Sequence, residues 1–239
     1  VHTSPAYDVS FGPGLLKHCG PRLREVLPPC RAAVVTDSIV GPLYLETVTE
    51  SLKGAGYAVC AYEFPAGEEN KNFSTLSGIL EFLAAERLTR SDCLVALGGG
   101  VVGDMAGFAA ACYLRGIRYV QLPTTLLSAV DSSVGGKTAI DLKAGKNLAG
   151  AFLQPAAVLC DTSCLETLPP EVFADGAAEA IKTAVLSDPG LFNRMENGFL
   201  PALDPGALIA GCVAYKVGVV ERAEKEQGER KLLILGHTV

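Results

Sequence analysis

The sequence predicts an α/β fold in which a Rossmann-like parallel sheet is followed by an all-α part. Short β-branched runs alternate with stretches of helical periodicity over residues 7–160, which is typical of a parallel sheet with helices on both faces. A cluster of glycines follows one apolar run, at the edge where such sheets bind ligands. Beyond Pro170 helical spacing dominates. We therefore expect an α/β domain over residues 1–168 and an α-helical domain over residues 169–239.

The individual elements follow from the same periodicities. The expected strands are Tyr7–Phe11, Ala32–Thr36, Tyr57–Glu63, Cys93–Leu97, Tyr119–Leu122 and Ala157–Cys160, and the helices expected between them include Leu43–Lys53 and Phe73–Glu86. Val130–Phe152 is rich in glycine and hydroxyl groups and is predicted to be loop-like. Pro189, Pro201 and Pro205 are expected to divide the second domain into short helices.

Composition indicates a compact protein without broad affinity for nucleic acid. Of 239 residues, 49% are hydrophobic and 19% are charged, and the formal net charge of −6 offers no basic field to phosphates. The 8 cysteines form no C-x-x-C pair, which predicts reduced thiols and a cytoplasmic location. The apolar stretch Leu94–Leu114 contains Asp104 and several glycines, which argues against a membrane span.

Gly98, Gly100 and Gly103 form the pattern G-x-G-x-x-G between an apolar run and a helix-like stretch. Such glycines let backbone amides approach a pyrophosphate at a helix N-terminus. The acidic residue expected about 20 positions later is absent, since that region reads Gln121-Leu122-Pro123. The pattern alone therefore leaves a second interpretation open, a tight turn that needs glycine dihedral angles.

Four further residues could have either a functional or a purely structural role. Asp37 ends an earlier strand, where it could accept from a ribose or cap the turn before a helix. Glu68 and Lys71 share one helical face, which from the sequence alone indicates a charged surface pair. Thr124 follows a strand and could present its hydroxyl to a nucleotide or act as a helix N-cap.

Two later segments indicate a substrate and a metal. Val130–Phe152 gathers Asp131, Lys137, Lys146 and Asn147, which suits an anionic substrate that carries hydroxyl groups. Glu179 and Lys182 are three positions apart in an apolar setting, and a buried carboxylate needs a partner, which a metal ion could supply. His237 is one of only 3 histidines, but a lone histidine is more often structural, and two ligands do not complete a zinc site.

Taken together, these segments closely resemble the 3-dehydroquinate synthase family of sugar-phosphate cyclases. The similar stretches are GGGVVGDMAGFAA, YLRGIRYVQLPTTLLSAVDSSVGGKTAIDLKAGKNLAGAF, TLPPEVFADGAAEAIK and ERKLLILGHT. The resemblance implies an NAD-binding α/β domain, a helical domain that binds metal and substrate, and an active site between them. It also implies a divalent metal (zinc or cobalt), a small anionic sugar-phosphate substrate and a homodimer.

The implied reaction is that of a carbon–oxygen lyase of the shikimate pathway. It converts 3-deoxy-D-arabino-heptulosonate 7-phosphate to 3-dehydroquinate and phosphate, with NAD accepting and returning a hydride. Three alternatives stay open: a cyclase acting on sedoheptulose 7-phosphate or glucose 6-phosphate (2-epi-5-epi-valiolone or 2-deoxy-scyllo-inosose synthase-like), a related alcohol dehydrogenase, and a non-catalytic nucleotide-binding remnant.

Carried over position by position, the resemblance implies four sets of site residues. The NAD contacts would be Asp37, Glu68, Lys71, Gly98, Gly99, Gly100, Val101, Val102, Asp104, Thr124, Thr125, Asp131, Lys137 and Lys146. The catalytic groups would be Asp131, Lys137, Lys182 and Glu226, and the substrate contacts Arg115, Lys137, Lys146, Asn147, Lys216 and Arg230. The metal ligands would be Glu179 and His237. Arg115 would reach the site of the neighbouring subunit.

The sequence departs from the family pattern in two respects. Ile234 stands where the pattern has asparagine, which removes a polar contact with substrate. The pattern also continues past Val239 to a histidine that serves as the third metal ligand. We therefore expect a fragment or a truncated product that binds zinc weakly and turns over poorly.

Overall fold

The computed structural model describes residues 1, 6–187, 189–196 and 204–222. Eight strands are present: β1 (Asp8–Gly12), β2 (Arg31–Asp37), β3 (Ala58–Phe64), β4 (Cys93–Gly98), β5 (Arg118–Pro123), β6 (Lys137–Leu142), β7 (Gly145–Phe152) and β8 (Ala157–Asp161). The α-helices are α1 (Cys19–Arg24), α2 (Gly41–Gly54), α3 (Phe73–Ala85), α4 (Gly100–Cys112), α5 (Pro170–Ser187), α6 (Pro189–Glu196) and α7 (Pro205–Arg222). All six predicted strands and both predicted helices are therefore present.

Six of the strands form one parallel sheet, as predicted. Their order is β1-β8-β5-β4-β2-β3. Helices cover both faces because alternate strand residues point to opposite sides. Ala32 and Val34 of β2 pack with α1 and α2, whereas Ala33 and Val35 pack with α3 and α4. Each strand in the middle of the sheet is thus apolar on both faces.

The strand order creates a switch point between β2 and β4. The chain moves from β2 to β3 in one direction across the sheet, and from β4 to β5 in the other. The helices that follow β2 and β4 consequently lie on opposite faces, where α2 and α4 pack with different core clusters. In open parallel sheets, a crevice for ligands forms at this point, outside the carboxyl ends of the two strands.

The loop predicted for Val130–Phe152 is wrong for most of its length. Ser128–Ser132 forms a π-helical turn, and β6 and β7 form an antiparallel hairpin that is separate from the main sheet. The hairpin packs on α4, where Thr138 lies against Gly107. Its strands were missed because lysine and glycine interrupt the β-branched pattern. The turn near Gly145 between two short strand-like runs was the available signal.

After residue 168 the described chain is helical, as the sequence predicts. α5, α6 and α7 pack on the π-helical turn and on β8, and together they enclose a third apolar cluster that includes Leu126, Val158, Ala180 and Cys212. The stretch Leu94–Leu114 forms most of β4, the glycine turn and α4. None of the helices in the described residues is long and apolar enough to cross a membrane.

Candidate nucleotide and anion site

The carboxyl ends of β2 and β4 bring Asp37 beside the glycine turn. Val35 of β2 is level with Ala96 of β4, so Asp37 and Gly98 end adjacent strands at the same height. Gly99 is the N-cap of α4, and the first turn of that helix begins at Gly100. The amides at the start of α4 therefore point to the crevice at the switch point, which suits a phosphate group.

The glycines of this turn are needed for close packing, and the alternative based on glycine dihedral angles is wrong. None of Gly98, Gly100 and Gly103 has a positive φ. A side-chain carbon added at Gly98 would lie 2.5 Å from Val102, and one at Gly103 would lie 2.7 Å from Gln121. The spacing of the pattern thus keeps α4 tightly against its own strand and against β5.

Asp37 caps a turn in the structure through one of its two carboxylate oxygens. Its Oδ1 accepts from the backbone N–H groups of Ile39 and Val40, each at 2.9 Å. Its Oδ2 makes no hydrogen bond within the described residues. The capping interpretation is therefore correct for one oxygen.

The two threonines after β5 have different roles. Thr124 donates its backbone N–H to the Gly98 carbonyl, and its buried Oγ1 has no hydrogen-bond partner. Thr125, rather than Thr124, is the residue that caps the next turn, because its Oγ1 accepts from the N–H of Ser128 and contacts that residue's hydroxyl at 2.8 Å. The N-cap interpretation of Thr124 is consequently wrong, and it is the backbone of Thr124 that joins it to the glycine turn.

Lys71 is buried, so the surface pair predicted with Glu68 is wrong. Only 5% of Lys71 is exposed. Its Nζ lies 2.6 Å from Asp104 Oδ2 and donates to Asn147 Oδ1 at 2.6 Å. Burial raises the pKa of Asp104 above its ordinary value, and the Lys71 ammonium opposes that rise. The contact joins α4, the segment before α3 and the hairpin at one point.

The hairpin residues divide into one anchor and two exposed cations. Asn147 has a φ of +56°, a left-handed conformation that asparagine tolerates better than most residues. Glu68 forms its ion pair with Lys146 at 3.2 Å, between a partly exposed glutamate and a largely exposed lysine. Lys137 begins β6 and is exposed. The hairpin therefore presents cations to solvent and holds Asn147 against Lys71.

Asp131 and Lys216 form a second contact, between the π-helical turn and α7, in which the lysine is buried and the aspartate is partly exposed. Lys216 Nζ donates to Asp131 Oδ1 at 2.6 Å and to the Asp131 carbonyl at 2.7 Å. Lys216 is only 9% exposed, and Asp131 supplies the partner that a buried lysine usually has. Next to this turn, a side-chain carbon added at Gly100 would lie 3.2 Å from Ser132 Oγ. The pair consequently stands beside the start of α4.

Glu179 and Lys182 form the ion pair that their spacing predicts, on α5. Both side chains are largely buried, so this is no solvated surface pair, as the apolar neighbours indicated. Burial raises the pKa of Cys212 on α7 to about 12, and the carboxylates of Glu179 and Asp131 add to that rise. Both carboxylates therefore lie near Cys212. The α5 pair and the Asp131–Lys216 pair belong to one region.

Arg115 lies apart from these groups, at the far end of α4. It is exposed and has a φ of +68°, and Leu114 before it has a φ of +51°. Two consecutive left-handed residues that are not glycine are costly and mark a constrained turn. Four predicted residues, Glu226, Arg230, Ile234 and His237, lie outside the described residues.

Asp141 is the site residue that the sequence reasoning missed. Its Oδ1 accepts from the N–H of Asn147, and its own N–H donates to the Lys71 carbonyl, both at 2.8 Å. It thus fixes Lys71 and Asn147, which contact each other. The signal available in the sequence was a polar residue inside a short run with strand periodicity, which the loop interpretation concealed.

The described residues fit a dinucleotide better than they complete a metal site. The amides at the start of α4, the Asp37 carboxylate and the unpaired Thr124 hydroxyl belong to residues at the carboxyl ends of β4, β2 and β5. For a metal, the described residues offer the Glu179 carboxylate, and no group of three histidine, cysteine, aspartate or glutamate residues occurs among them. A catalytic zinc site needs three protein ligands, so Glu179 fits as one member of a set.

Comparisons with known proteins agree over nearly the whole chain. Family models described as 3-dehydroquinate synthase N-terminal and C-terminal match residues 61–175 and 176–239. A relative named 3-dehydroquinate synthase from Paracoccus denitrificans is 48% identical over 237 residues, covering 98% of this chain and 65% of the relative. One from Geobacter metallireducens is 49% identical over 98% of this chain and 66% of the relative. One from Latilactobacillus sakei is 45% identical over 99% and 68%. The chain thus spans just under two thirds of the length of the first two.

Solved structures of sugar-phosphate cyclases share the fold. The chain is similar to a 2-deoxy-scyllo-inosose synthase with a TM-score of 0.84 and 29% identity, over 97% of this chain and 65% of that chain. It is similar to a 2-epi-5-epi-valiolone synthase from Streptomyces hygroscopicus, solved with NAD+ and Zn2+, with a TM-score of 0.88 and 29% identity over 97% and 66%. Together with the matches above, these findings show that the chain belongs to the 3-dehydroquinate synthase family.

Proposed function

We propose that the protein containing this chain is a 3-dehydroquinate synthase, which converts 3-deoxy-D-arabino-heptulosonate 7-phosphate to 3-dehydroquinate and phosphate. The observation that carries the proposal is the position of the Asp131–Lys216 pair beside the first turn of α4. A nucleotide crevice and a buried cation are thereby adjacent. An oxidised nicotinamide and an anionic substrate need such neighbouring sites.

The curated relatives favour this activity over those of the other cyclases. Relatives named 3-dehydroquinate synthase are 45–50% identical to this chain, whereas the two cyclases named above are 29% identical. The substrates of those other cyclases carry no carboxylate. The proposed substrate carries a carboxylate, which Lys216 and, outside the described residues, Arg230 would bind.

For the cofactor we propose NAD, bound at the carboxyl ends of β2 and β4. The amides of Gly99 to Val102 would hold the pyrophosphate, with the Val102 side chain remaining in the core. Asp37 would accept from a ribose hydroxyl, and Thr124 would donate to the bound nucleotide. When bound, the nicotinamide would accept a hydride from the C5 hydroxyl carbon and return it later, so that no NADH accumulates.

For the metal we propose a divalent ion, zinc or cobalt, with Glu179 and His237 among its ligands. Such an ion would lower the pKa of a bound substrate hydroxyl. The nearby Lys182, which is the ion-pair partner of Glu179 in the structure, would orient the Glu179 carboxylate. A solved 2-deoxy-scyllo-inosose synthase holds NAD+ and Co2+ together with carbaglucose-6-phosphate, which supports the pairing of these two cofactors.

The remaining roles are assigned by charge and position. Lys137, Lys146 and Asn147 on the hairpin would bind the substrate phosphate and hydroxyl groups, since the two lysines are exposed cations on one hairpin. Lys182, Lys216 and Asp131 would orient the hydroxyl and carboxylate groups, and Lys137, Asp131 and Glu226 would move protons. Glu226 has this role by its position in the family pattern alone.

We also propose a homodimer in which Arg115 acts on the neighbouring site. α4 has 13 residues, so Arg115 lies about 20 Å along the helix axis from the glycine turn. That distance exceeds the reach of an arginine side chain. The constrained left-handed turn at Leu114 and Arg115 would hold the side chain outward, towards a partner.

The proposed domain boundary remains at residue 168, with a nucleotide-binding domain before it and a metal- and substrate-binding domain after it. The change from strands and helices to helices alone, just before α5 begins at Pro170, supports it. We further propose a cytoplasmic location, which the eight free thiols support.

The proposal is tested with the protein supplied with NAD, zinc and the heptulosonate phosphate. Phosphate release and NADH absorbance are followed together. We expect phosphate without net NADH, and a decrease of about 100-fold or more for Lys216→Met. Lys143→Met, an exposed lysine at the tip of the hairpin, is the matched control and should leave the rate unchanged.

The same assay separates the alternatives. Net production of NADH from a simple alcohol would indicate a dehydrogenase instead. Turnover of sedoheptulose 7-phosphate or glucose 6-phosphate, without turnover of the heptulosonate phosphate, would indicate another cyclase. Stabilisation by NAD in a thermal melt, without further stabilisation by zinc and with no turnover of any of these substrates, would indicate a non-catalytic nucleotide-binding remnant.

A further inference from the structure

Two cysteines face each other at the edge of the sheet opposite to the nucleotide crevice. Cys93 is the first residue of β4, and Cys30 immediately precedes β2. Ala32 of β2 is level with Cys93, so Cys30 lies two positions earlier on the same face of the sheet. Both cysteines pack with the core cluster under α1 and α2. They are therefore diagonal neighbours on adjacent strands.

The sulfur atoms of Cys30 and Cys93 are 3.8 Å apart, which is a contact distance between two free thiols. A disulfide bond needs about 2.0 Å, so the sulfurs must approach each other to react. Cys93 is fully buried within a central strand and cannot move far. Cys30 is partly exposed and follows Pro29 in the loop before β2, so it can make the necessary shift.

The surroundings make the two thiols unequal. Contact with Cys93 holds the pKa of Cys30 below its ordinary value, with a smaller contribution from the Arg118 guanidinium. The pKa of Cys93 is raised, because its neighbour Cys30 and its own burial both disfavour its ionisation. Cys30, the partly exposed member of the pair, is thus the thiol that reacts first, and the fully buried Cys93 is placed to react with the product. No other pair of cysteine sulfurs in the described residues is hydrogen-bonded.

We propose that Cys30 and Cys93 form an oxidant-sensitive dithiol site that a hydroperoxide converts into a disulfide between β2 and β4. The Cys30 thiolate attacks the peroxide, the oxygen–oxygen bond breaks, and Cys30 becomes a sulfenic acid as one water leaves. The Cys93 sulfur then attacks the Cys30 sulfur, and the sulfur–oxygen bond breaks to release a second water. The two thiols together lose two electrons, and these electrons reduce one molecule of peroxide.

The test treats the full chain, first reduced, with equimolar hydrogen peroxide. The remaining thiols are then alkylated under denaturing conditions and counted by intact mass. We expect six alkylated thiols of the 8 in the chain, and recovery of all of them after dithiothreitol. Trypsin places Cys93 and Cys112 in one peptide, 91–115, so the cross-link to peptide 25–31 is mapped in Cys112→Ser.

Three variants decide the assignment. Cys112→Ser removes an exposed thiol and should form the disulfide like the parent chain. Cys93→Ser should form none and should accumulate a Cys30 sulfenic acid that dimedone traps. Cys30→Ser should leave Cys93 unmodified. Melting of each reduced variant verifies its fold.

Three outcomes would overturn the proposal. They are no loss of thiols, oxidation of Cys30 to a sulfinic acid without a cross-link, and a cross-link between Cys160 and Cys164 instead. Because these measurements use no substrate, they are independent of the proposed synthase activity.

Discussion

The polar groups at the carboxyl edge of the sheet are held differently from those of a second region, the facing surface, which comprises the Lys71–Asn147 and Lys216–Asp131 contacts. At the edge, Asp37 bonds to amides two and three positions away, and the amides of α4 are presented by a turn of three glycines. On the facing surface, Lys71 contacts Asn147 across 76 positions, and Lys216 contacts Asp131 across 85. One half of the site is local in sequence, and the other is assembled by the fold.

The difference has an energetic consequence. A local cap replaces one set of exposed hydrogen bonds with another, and its loss typically costs about 1 kcal/mol. A buried ion pair is desolvated on both sides, so removing one partner leaves a buried charge and costs about 3–5 kcal/mol. The facing surface should therefore be sensitive to single substitutions, and the edge should be tolerant. The following five predictions test that contrast.

The largest effect is expected at Lys71. Lys71→Met leaves Asp104 buried without its cation and should lower the free energy of unfolding by about 3 kcal/mol or more. The double variant Lys71→Met with Asp104→Leu removes both charges and should recover most of that loss. Urea unfolding of the parent chain, both single variants and the double variant gives the coupling energy. Strict additivity of the two substitutions would contradict the ion pair.

The same contact should have a pH signature. The folded pKa of Asp104 is raised by burial, so the folded state binds this proton more tightly than the unfolded chain does. Its contribution is complete below the ordinary pKa of aspartate and is lost as the pH rises through the folded value. The stability of the parent chain minus that of Asp104→Asn should therefore decrease as the pH rises over this range. A difference that increases with pH would reverse the sign and contradict the burial argument.

A somewhat smaller effect on stability is expected at Lys216, because Asp131 is partly exposed and water can reach it. Lys216→Met should lower the free energy of unfolding by about 2–3 kcal/mol. Lys216→Arg keeps the charge and should retain most of the stability. Thermal melting of both variants without ligands makes the measurement independent of activity. Equal losses for the two variants would indicate that shape, and not charge, is required at this position.

At the edge of the sheet, Asp37→Ala should cost about 1 kcal/mol, since two amides lose their acceptor. Asp37→Asn retains an acceptor oxygen for the cap and should cost less. Both variants should weaken stabilisation by NAD, because neither carries the second carboxylate oxygen. Melting curves with and without NAD separate the two effects. Unchanged NAD stabilisation in Asp37→Ala would remove this residue from the cofactor site.

The smallest effect is expected at the exposed pair between Glu68 and Lys146. The Lys146 side chain is 72% exposed and that of Glu68 is 41% exposed, so Glu68→Ala should change the free energy of unfolding by less than about 0.5 kcal/mol. Raising the salt concentration should abolish even that difference. Glu69→Ala, the adjacent acidic residue, is the control. A loss comparable to that of Lys71→Met would show that exposure does not govern these contacts.

The regular part of the fold could be predicted from the sequence, because each signal is local. The apolar runs that became β2, β4 and β5 are buried on both faces, and their length and flanking residues marked their ends. The hairpin β6–β7 could not be predicted in this way. Its strands carry lysines and glycines, and they are held by antiparallel pairing with each other and by packing on α4, which no local pattern reveals.

By itself, the sequence determined the parallel sheet, the helix that begins after the glycines and the chemical character of the polar residues. Periodicity and residue type act over a few positions, so short stretches of sequence are enough to predict those properties. Only the tertiary structure decided the partners. Lys71 pairs with Asp104 and not with Glu68, and Lys216 pairs with Asp131. A buried ammonium group needs a carboxylate partner, and the packing of distant elements determines which carboxylate lies within reach.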